Sequence, residues 1–117
     1  MVYVFLADGF EEIEALAPVD FFRRAGVEVK TVALNKMSAV GAHSIEVAAD
    51  VNINDIILND DIEAVVLPGG MPGAQNLYEC SKVHEAIDFA NDNNKLVCAI
   101  CAAPFILGRK GLLKGKN

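Results

Sequence analysis

The chain has 117 residues, a net charge of −6 and 53% hydrophobic residues, with a mean hydropathy of +0.32. This length predicts one domain over residues 1–117. The acidic charge and the lack of a basic run argue against a nucleic-acid partner. The first apolar run, Val2 to Ala7, is too short for a membrane span or a signal-peptide core, so we expect a cytoplasmic protein without a membrane partner.

The first half of the chain predicts a strand, a helix and a second strand. Val2 to Ala7 is an apolar strand, and Glu11 to Ala25 carries apolar residues at helical spacing before a stop at Gly26. Val27 to Leu34 is a second strand, which completes a right-handed βαβ unit. The next segment is less regular; Ile45 to Ala48 predicts a short strand, and Asp50 to Leu58 predicts a short helix or turn.

The second half continues the alternation. A third strand is predicted at Glu63 to Leu67, a helix at Ser81 to Asn91, a buried strand at Lys95 to Ile100 and a helix at Ala102 to Gly108. Apolar strands alternating with helices favour an α/β fold with a doubly wound, parallel sheet of flavodoxin type. Residues 111–117 lead toward a further strand that is not there, so we expect the C-terminal part of this fold to be missing.

Cys101 lies on the sharp turn between the last predicted strand and helix. Ala99 and Ala103 flank it at two-residue spacing, and Pro104 is favourable in the first turn of a helix. This small-x-nucleophile-x-small pattern is that of a nucleophile elbow, with sulfur in place of a hydroxyl. The helix N-terminus favours a thiolate, so we interpret Cys101 as a nucleophile rather than as a buried structural cysteine.

The other cysteines leave two alternatives open. Cys80, Cys98 and Cys101 are an odd number, which argues against a disulfide framework. Cys98 and Cys101 form a C-x-x-C, which allows a redox pair, but Cys98 falls within the strand pattern and is expected to be buried and inert. A metal site needs further ligands, which the neighbouring sequence does not supply.

Three loops should meet beyond the carboxyl ends of the strands, where ligands bind in such sheets. They are residues 8–14, residues 68–73 and the turn at Cys101. The pair Gly69-Gly70 allows backbone N–H groups to approach a substrate closely. Together with the N–H of Ala102 it would build an oxyanion hole facing the sulfur, although a flexible turn is the alternative.

Few other side chains are candidates for acid–base chemistry. Glu11 and Glu12 are explained by the favourable effect of carboxylates in the first helical turn. Glu14 lies near the inward stripe, where it could be protonated and donate a hydrogen bond to the sulfur. Of the two histidines, His84 is expected on a helix surface, whereas His43, in an ambiguous loop, could line a site.

These residues resemble the ThiJ/PfpI superfamily, most strongly the branch that contains the human parkinsonism-associated deglycase and its bacterial relatives. The resemblance runs along almost the whole chain and is specific because three motifs occur in order. The motifs are Asp8-Gly9-Phe10-Glu11-Glu12-Ile13-Glu14 with Pro18-Val19-Asp20 and Arg23-Arg24-Ala25-Gly26, then Leu67-Pro68-Gly69-Gly70 with Gly73-Ala74-Gln75-Asn76-Leu77, and finally Ala99-Ile100-Cys101-Ala102 with Pro104.

The resemblance implies a flavodoxin-like, class I glutamine amidotransferase-like homodimer that needs no cofactor or metal. It implies Cys101 as the nucleophile, Glu14 as its carboxyl partner, and the N–H groups of Gly70 and Ala102 as the oxyanion site, with Gly69 lining it. Relatives often place arginines from the dimer partner near the site. Arg24 matches one such position, and His43 stands where another arginine is expected.

Relatives also carry a third catalytic residue, often a histidine, beyond the elbow helix. This chain therefore resembles the N-terminal two-thirds or so of a family member, and a C-terminal fragment of the same protein is an expected partner. The implied activity is that of a glyoxalase or deglycase acting on small reactive carbonyls or glycated adducts. The alternatives are a redox sensor or chaperone working through oxidation of Cys101, and a PfpI-like peptidase or amidase.

Overall fold

The computed structural model describes residues 1–116, which form one five-stranded sheet, a hairpin and four α-helices. The strands are β1 (Val2–Leu6), β2 (Val29–Ala33), β3 (Ser38–Val40), β4 (Glu46–Ala48), β5 (Val51–Asn52), β6 (Ala64–Leu67) and β7 (Leu96–Ala99). The helices are α1 (Glu12–Arg24), α2 (Gly73–Tyr78), α3 (Ser81–Asp92) and α4 (Pro104–Arg109), and a 3-10 turn covers Ile53–Asp55. No helix in this part of the chain is long and apolar enough to span a bilayer.

All the neighbouring strands of the main sheet are parallel, in the order β5-β2-β1-β6-β7. The chain adds strands to one side of β1 and then crosses to the other, so the order reverses between β1 and β6. This confirms the predicted doubly wound α/β fold. Crevices for ligands open where the strand order reverses, beyond the carboxyl ends of the strands.

Two apolar layers cover the sheet because successive side chains of a strand point to opposite faces. On one face, Val4 and Leu6 pack with Ala15 and Val19 of α1. On the other face, Phe5 and its neighbours pack against α2, α3 and α4. Fully burying each large apolar side chain contributes roughly 1.5–3 kcal/mol, so these layers hold the loops at the strand ends in place.

The short elements of the middle segment agree with the prediction in part, since the 3-10 turn at Ile53–Asp55 falls within the helix or turn predicted at Asp50 to Leu58. The strand expected at Ile45 to Ala48 exists as β4, but it pairs with β3 in an antiparallel hairpin outside the main sheet. The two-residue strand β5 and the helix α2 were not predicted. Both are too short to show periodicity, and their positions depend on pairing and packing with distant parts of the chain.

The last strand was expected to be buried, and this is wrong. Within residues 1–116, β7 pairs with β6 alone and is an edge strand, with Leu96 67% exposed and the neighbouring Ile100 50% exposed. Its other face is partly covered, since Val97 packs against the core beneath α3 and α4. A groove of about 240 Å³ remains on the α1 side, lined by Glu14, Pro18, Phe22, Val66, Cys98, Ala99 and Ile100.

Candidate functional site

The three predicted loops meet because β1, β6 and β7 are neighbours in the sheet. Glu11 N–H donates to the carbonyl of Gly69 at 2.9 Å, and Gly73 N–H donates to the carbonyl of Gly9 at 3.2 Å. These bonds tie the loop after β1 to the loop after β6. The turn that carries Cys101 follows β7 at the same edge.

Cys101 is exposed and has a left-handed backbone, with φ of +59°. A non-glycine residue rarely adopts this conformation, and a nucleophile elbow needs such a sharp turn to project its side chain. Both flanks are fixed: Ile100 N–H donates to Leu67 at 3.3 Å, and Ala103 N–H donates to Ile100 at 3.0 Å. Ala103 is completely buried, so a small side chain is needed there.

Glu14 lies beside Cys101, with Gly69 between them. The Oε1 atom of Glu14 accepts a hydrogen bond from the Gly69 N–H at 3.0 Å. A Cβ on Gly69 would overlap with this oxygen and would lie 2.9 Å from the Cys101 Cβ and 2.9 Å from the Ile100 carbonyl oxygen. The carboxyl group and the thiol side chain therefore approach the same point, although their hydrogen bond is not formed in the described part of the chain.

The two N–H groups expected to bind an oxyanion have no acceptor among residues 1–116. Gly69 N–H is used by Glu14, whereas the N–H groups of Gly70 and Ala102 donate no hydrogen bond. Gly70 has φ of +92°, and a Cβ there would lie 2.5 Å from the Glu11 nitrogen, so only glycine fits. Two unused donors beside an exposed thiol are what an oxyanion site requires.

Arg24 and His43, which were predicted to lie near the site, bind other residues of their own chain. Arg24, in the last turn of α1, binds Asp20 at 3.0 Å and is 74% exposed. Ten residues separate it from Glu14 on the same helix, or roughly 15 Å along the axis, so its guanidinium is remote from the site of its own chain. His43 lies in the hairpin loop and binds Glu12 with its Nδ1 at 2.8 Å.

Glu12 is a buried carboxylate that sequence reasoning missed. Its oxygens accept hydrogen bonds from the His43 side chain, from the His43 N–H at 2.8 Å and from the Ile45 N–H at 3.4 Å. Burial alone raises the pKa of Glu12, but the bonds from His43 and the backbone outweigh it and lower the pKa to about 2. The hydrogen bond and charge of Glu12 raise the pKa of His43 above its ordinary value.

Glu12 and His43, together with Glu11, form the group of potential metal ligands in the described region. The ligand atoms of Glu11, Glu12 and His43 lie within 4.8 Å of one another. Glu12 and His43 already satisfy each other, and Glu11 accepts from the Ile13 N–H at the start of α1. The arrangement thus fastens the hairpin loop to α1.

All three cysteines have free thiols in the described part of the chain. The expected burial of Cys98 and the expected surface position of His84 are both wrong. Cys98 is exposed rather than buried, because β7 is an edge strand; partial burial nevertheless raises the pKa of its thiol. His84 is half-buried rather than on the surface, because Lys110, which follows α4, lies against α3 and contacts the His84 ring. Neither packing arrangement could be recognised from local sequence.

Comparisons with known proteins identify the family of the chain. The DJ-1/PfpI family matches residues 1–117. The chain is 35% identical to Protein dj-1beta of Drosophila melanogaster and 36% identical to the Parkinson disease protein 7 homolog of Danio rerio, in each case over 97% of this chain and 61% of the relative. The chain therefore spans about 61% of the length of these curated relatives.

Solved structures give the same result. A DJ-1 superfamily protein from Salmonella typhimurium superposes with a TM-score of 0.90 at 38% identity, covering 97% of this chain and 62% of that protein. An oxidized DJ-1 from Toxoplasma gondii superposes with a TM-score of 0.91 at 34% identity, with the same coverage of 97% and 62%. The family match covers residues 1–117 and the fold agrees with these structures, so the chain belongs to the DJ-1/PfpI family.

Proposed function

We propose that this protein is a cofactor-independent enzyme that uses the Cys101 thiol on small reactive carbonyls, as a glyoxalase or a deglycase. The observation that carries the proposal is the exposed, left-handed turn at Cys101, against which Glu14 and Gly69 are packed. A sharp turn with a small neighbour leaves the sulfur accessible to a substrate while its backbone is held still.

The chemistry follows from the groups around the sulfur. The Cys101 thiolate attacks the aldehyde carbon, and the carbonyl electron pair moves to oxygen, which forms a hemithioacetal. The unused N–H groups of Gly70 and Ala102 stabilise the negative oxygen as it develops. Glu14 then moves a proton from the former aldehyde carbon to the neighbouring carbon, which converts the hemithioacetal to a thioester, and water hydrolyses the thioester to lactate and frees the Cys101 thiol. Glu14 suits this role because its Oε1 is fixed by Gly69 while its second oxygen has no partner in the described region.

Conversion of methylglyoxal to lactate is the direct test. Cys101→Ser should reduce the rate at least about 10³-fold, as loss of a nucleophile does in other covalent enzymes. Glu14→Gln keeps the side-chain size but removes the proton transfer, and it should cost about 10²- to 10⁴-fold. Cys80→Ser and Cys98→Ser are the matched controls and should keep the activity. Unchanged lactate formation by Cys101→Ser would refute the proposal.

A redox role for the same thiol is the second candidate. It is favoured by the exposure of Cys101 and by the similarity to a DJ-1 whose structure was solved in an oxidized form. Mild peroxide treatment should add two oxygen atoms, about 32 Da, to the peptide that contains Cys101. A protein that oxidises there without forming lactate would favour the sensor, whereas rapid lactate formation by the reduced protein favours the enzyme.

A peptidase or amidase receives no support from the described residues. Such an enzyme needs a general base close to its nucleophile. His43 is bound to Glu12, and His84 is bound to Tyr78 and Lys110, so both histidines have other partners.

We also propose a homodimer that forms through the outer face of α1. Ile13 is 75% exposed and Phe21 is 69% exposed on this helix, and Ile45 of the hairpin is 53% exposed. Large apolar side chains exposed together mark interaction surfaces. Arg24 lies at the end of the same helix, which would let its guanidinium approach the site of the second copy.

The dimer proposal is tested by the mass of the protein in solution, measured by sedimentation. Phe21→Lys should convert a dimer to a monomer, because it places a charge in an apolar contact. Ile57→Lys is the matched control, since Ile57 is 67% exposed and lies well away from α1 in sequence. A wild-type monomer, or equal effects of both substitutions, would contradict the proposed surface.

A further inference from the structure

A cluster of polar and aromatic side chains joins α2, α3 and α4 on the side of the sheet opposite α1. At its centre lies His84 of α3, which is half-buried. Its Nε2 bonds to the carbonyl oxygen of Tyr78, and its Nδ1 lies 3.1 Å from the Nζ of Lys110. A carbonyl can only accept, so Nε2 carries the hydrogen and Nδ1 accepts from the Lys110 ammonium group. Only the neutral imidazole satisfies both neighbours.

These contacts hold the end of α4. Lys110, just after the helix, also binds Asp88 of α3 at 2.9 Å, and its side chain is only 13% exposed. Arg109 lies 5.0 Å from the ring centroid of Tyr78 and 4.9 Å from that of Phe105, within the range of cation–π interactions. α4 has only six residues, and so short a helix is not stable through its own hydrogen bonds. Side-chain contacts with the rest of the protein must therefore stabilise it.

α4 is one of the two elements that hold the turn at Cys101. β7 fixes the preceding residues through its pairing with β6, and α4 begins three residues after Cys101. A left-handed backbone at a non-glycine residue persists only when the surrounding structure imposes it. Release of α4 would therefore let the turn relax and change the position of the sulfur.

We propose that neutral His84 is a positioning residue for Cys101, and that protonation of His84 releases α4 and lowers the reactivity of the thiol. A proton on Nδ1 would remove the acceptor for Lys110 and place two positive charges 3.1 Å apart. Asp88 remains with Lys110 and only partly offsets this repulsion, while Arg109 adds a further positive charge on the same side. The inference adds pH control to the thiol site and rests on Cys101 being the reactive group.

The contacts of His84 with Tyr78 and Lys110 are here called the clamp. Hydrogen exchange of the α4 peptide tests the clamp without any reaction at Cys101. Wild type and His84→Gln are compared at the same pH, between about pH 8 and about pH 5, where histidine changes its charge. Glutamine can donate to Tyr78 and accept from Lys110 but does not titrate. The two proteins should exchange alike at the upper pH, and wild-type α4 should exchange several-fold faster at the lower pH.

The reactivity of Cys101 is measured in parallel by alkylation with iodoacetamide. The ratio of wild-type to His84→Gln rates cancels the ordinary titration of the thiol, and it should fall several-fold on acidification. Lys110→Met, with His84 intact, removes the opposing cation and should weaken the acid effect; it also serves if His84→Gln does not fold. His43→Gln is the control for the other histidine and should keep the wild-type response of α4.

Superimposable exchange of wild type and His84→Gln at both pH values would overturn the clamp. Faster exchange of α4 with an unchanged alkylation ratio would overturn the positioning role. Both acid effects in a protein that forms no lactate from methylglyoxal would support the clamp and contradict only the proposed carbonyl chemistry. The two proposals are therefore tested separately.

Discussion

Gly69→Ala is the sharpest test of the site, because a single methyl group would occupy the space that Glu14 and Cys101 share. Gly69 does not have a positive φ, so alanine is not excluded by backbone conformation. It is excluded by space: the new Cβ would overlap with Glu14 Oε1 and lie 2.9 Å from the Cys101 Cβ. Contacts below about 3 Å force the neighbouring groups to move.

The expected effect on stability can be worked from three contributions. Replacing glycine restricts the unfolded chain and stabilises by about 0.4–1 kcal/mol. Overpacking costs about 1–3 kcal/mol, and weakening the bond from Gly69 N–H to Glu14 costs about 0.5–1.5 kcal/mol. Together they predict a net loss of about 0.5–4 kcal/mol. Misplacing the reacting groups by roughly 1 Å should also slow turnover of methylglyoxal about 100-fold.

Urea unfolding measures the loss of stability. Lactate formation, together with alkylation of Cys101, measures the loss of turnover. Gly108→Ala is the control, because Gly108 lies inside α4 and its nearest other atom, on Leu113, would be 3.9 Å from the new Cβ. That substitution should stabilise the protein by about 0.5–1 kcal/mol and leave turnover unchanged. Wild-type stability and turnover in Gly69→Ala would refute the steric reasoning.

A second substitution distinguishes the displaced carboxyl from a general loss of structure. Glu14→Asp shortens the side chain by one methylene group and retracts the carboxylate from the new methyl group. In the Gly69→Ala background it should restore part of the lost stability, although turnover should remain low because the shorter acid lies further from the sulfur. Strictly additive effects on stability would show that the two positions are not in contact.

Three further predictions concern the thiols, the hairpin loop and the core. Iodoacetamide at neutral pH should label Cys101 faster than Cys98, because burial raises the pKa of Cys98; peptide mapping measures the order, and faster labelling of Cys98 would contradict the elbow interpretation. Loss of the Glu12–His43 pair should reduce the free energy of unfolding most between pH 4.5 and 6.5. The raised pKa of His43 adds its full stabilisation below pH 6.5, and the lowered pKa of Glu12 adds its full stabilisation above pH 4.5. This window is tested by measuring the urea midpoints of wild type and His43→Ala as a function of pH. A difference between the two midpoints that increases above pH 6.5 would contradict the prediction. Ile87→Ala, at a fully buried position, should cost about 2–5 kcal/mol in the same assay, and a loss below 1 kcal/mol would show that the core layer is loosely packed.

The parts of the fold that sequence could predict are those set by local pattern. β1 and β6 are unbroken apolar runs, and α3 has its apolar residues at helical spacing; all three lie within about two residues of their predicted bounds. The turn at Cys101 was recognisable because small residues flank it at fixed spacing. Gly26, with φ of +77° just after α1, likewise follows from the rule that glycine ends helices.

The rest depended on which elements become neighbours. The exposure of Cys98 follows from β7 lying at the sheet edge, which no property of residues 95–100 reveals. The burial of Glu12 depends on the hairpin loop about 30 residues further along the chain. The surroundings of His84 depend on Lys110, which follows α4 and lies 26 residues further along the chain. Each of these is a tertiary contact, and local periodicity carries no information on it.

Glu12 and Glu14, two residues apart in the first turn of α1, explain why the predicted loops are held so firmly. Each carboxylate fits against a glycine of another loop: a Cβ on Gly41 would collide with the Glu12 side chain, and one on Gly69 would collide with Glu14. Neither glycine has a positive φ, so space rather than backbone conformation selects it. Each carboxylate also accepts a backbone N–H from the loop it touches, at 2.8 Å from His43 and 3.0 Å from Gly69. The first turn of α1 therefore fixes the hairpin with one acid and presents the other to Cys101, so that a shift of the helix would disturb the loop and the thiol together.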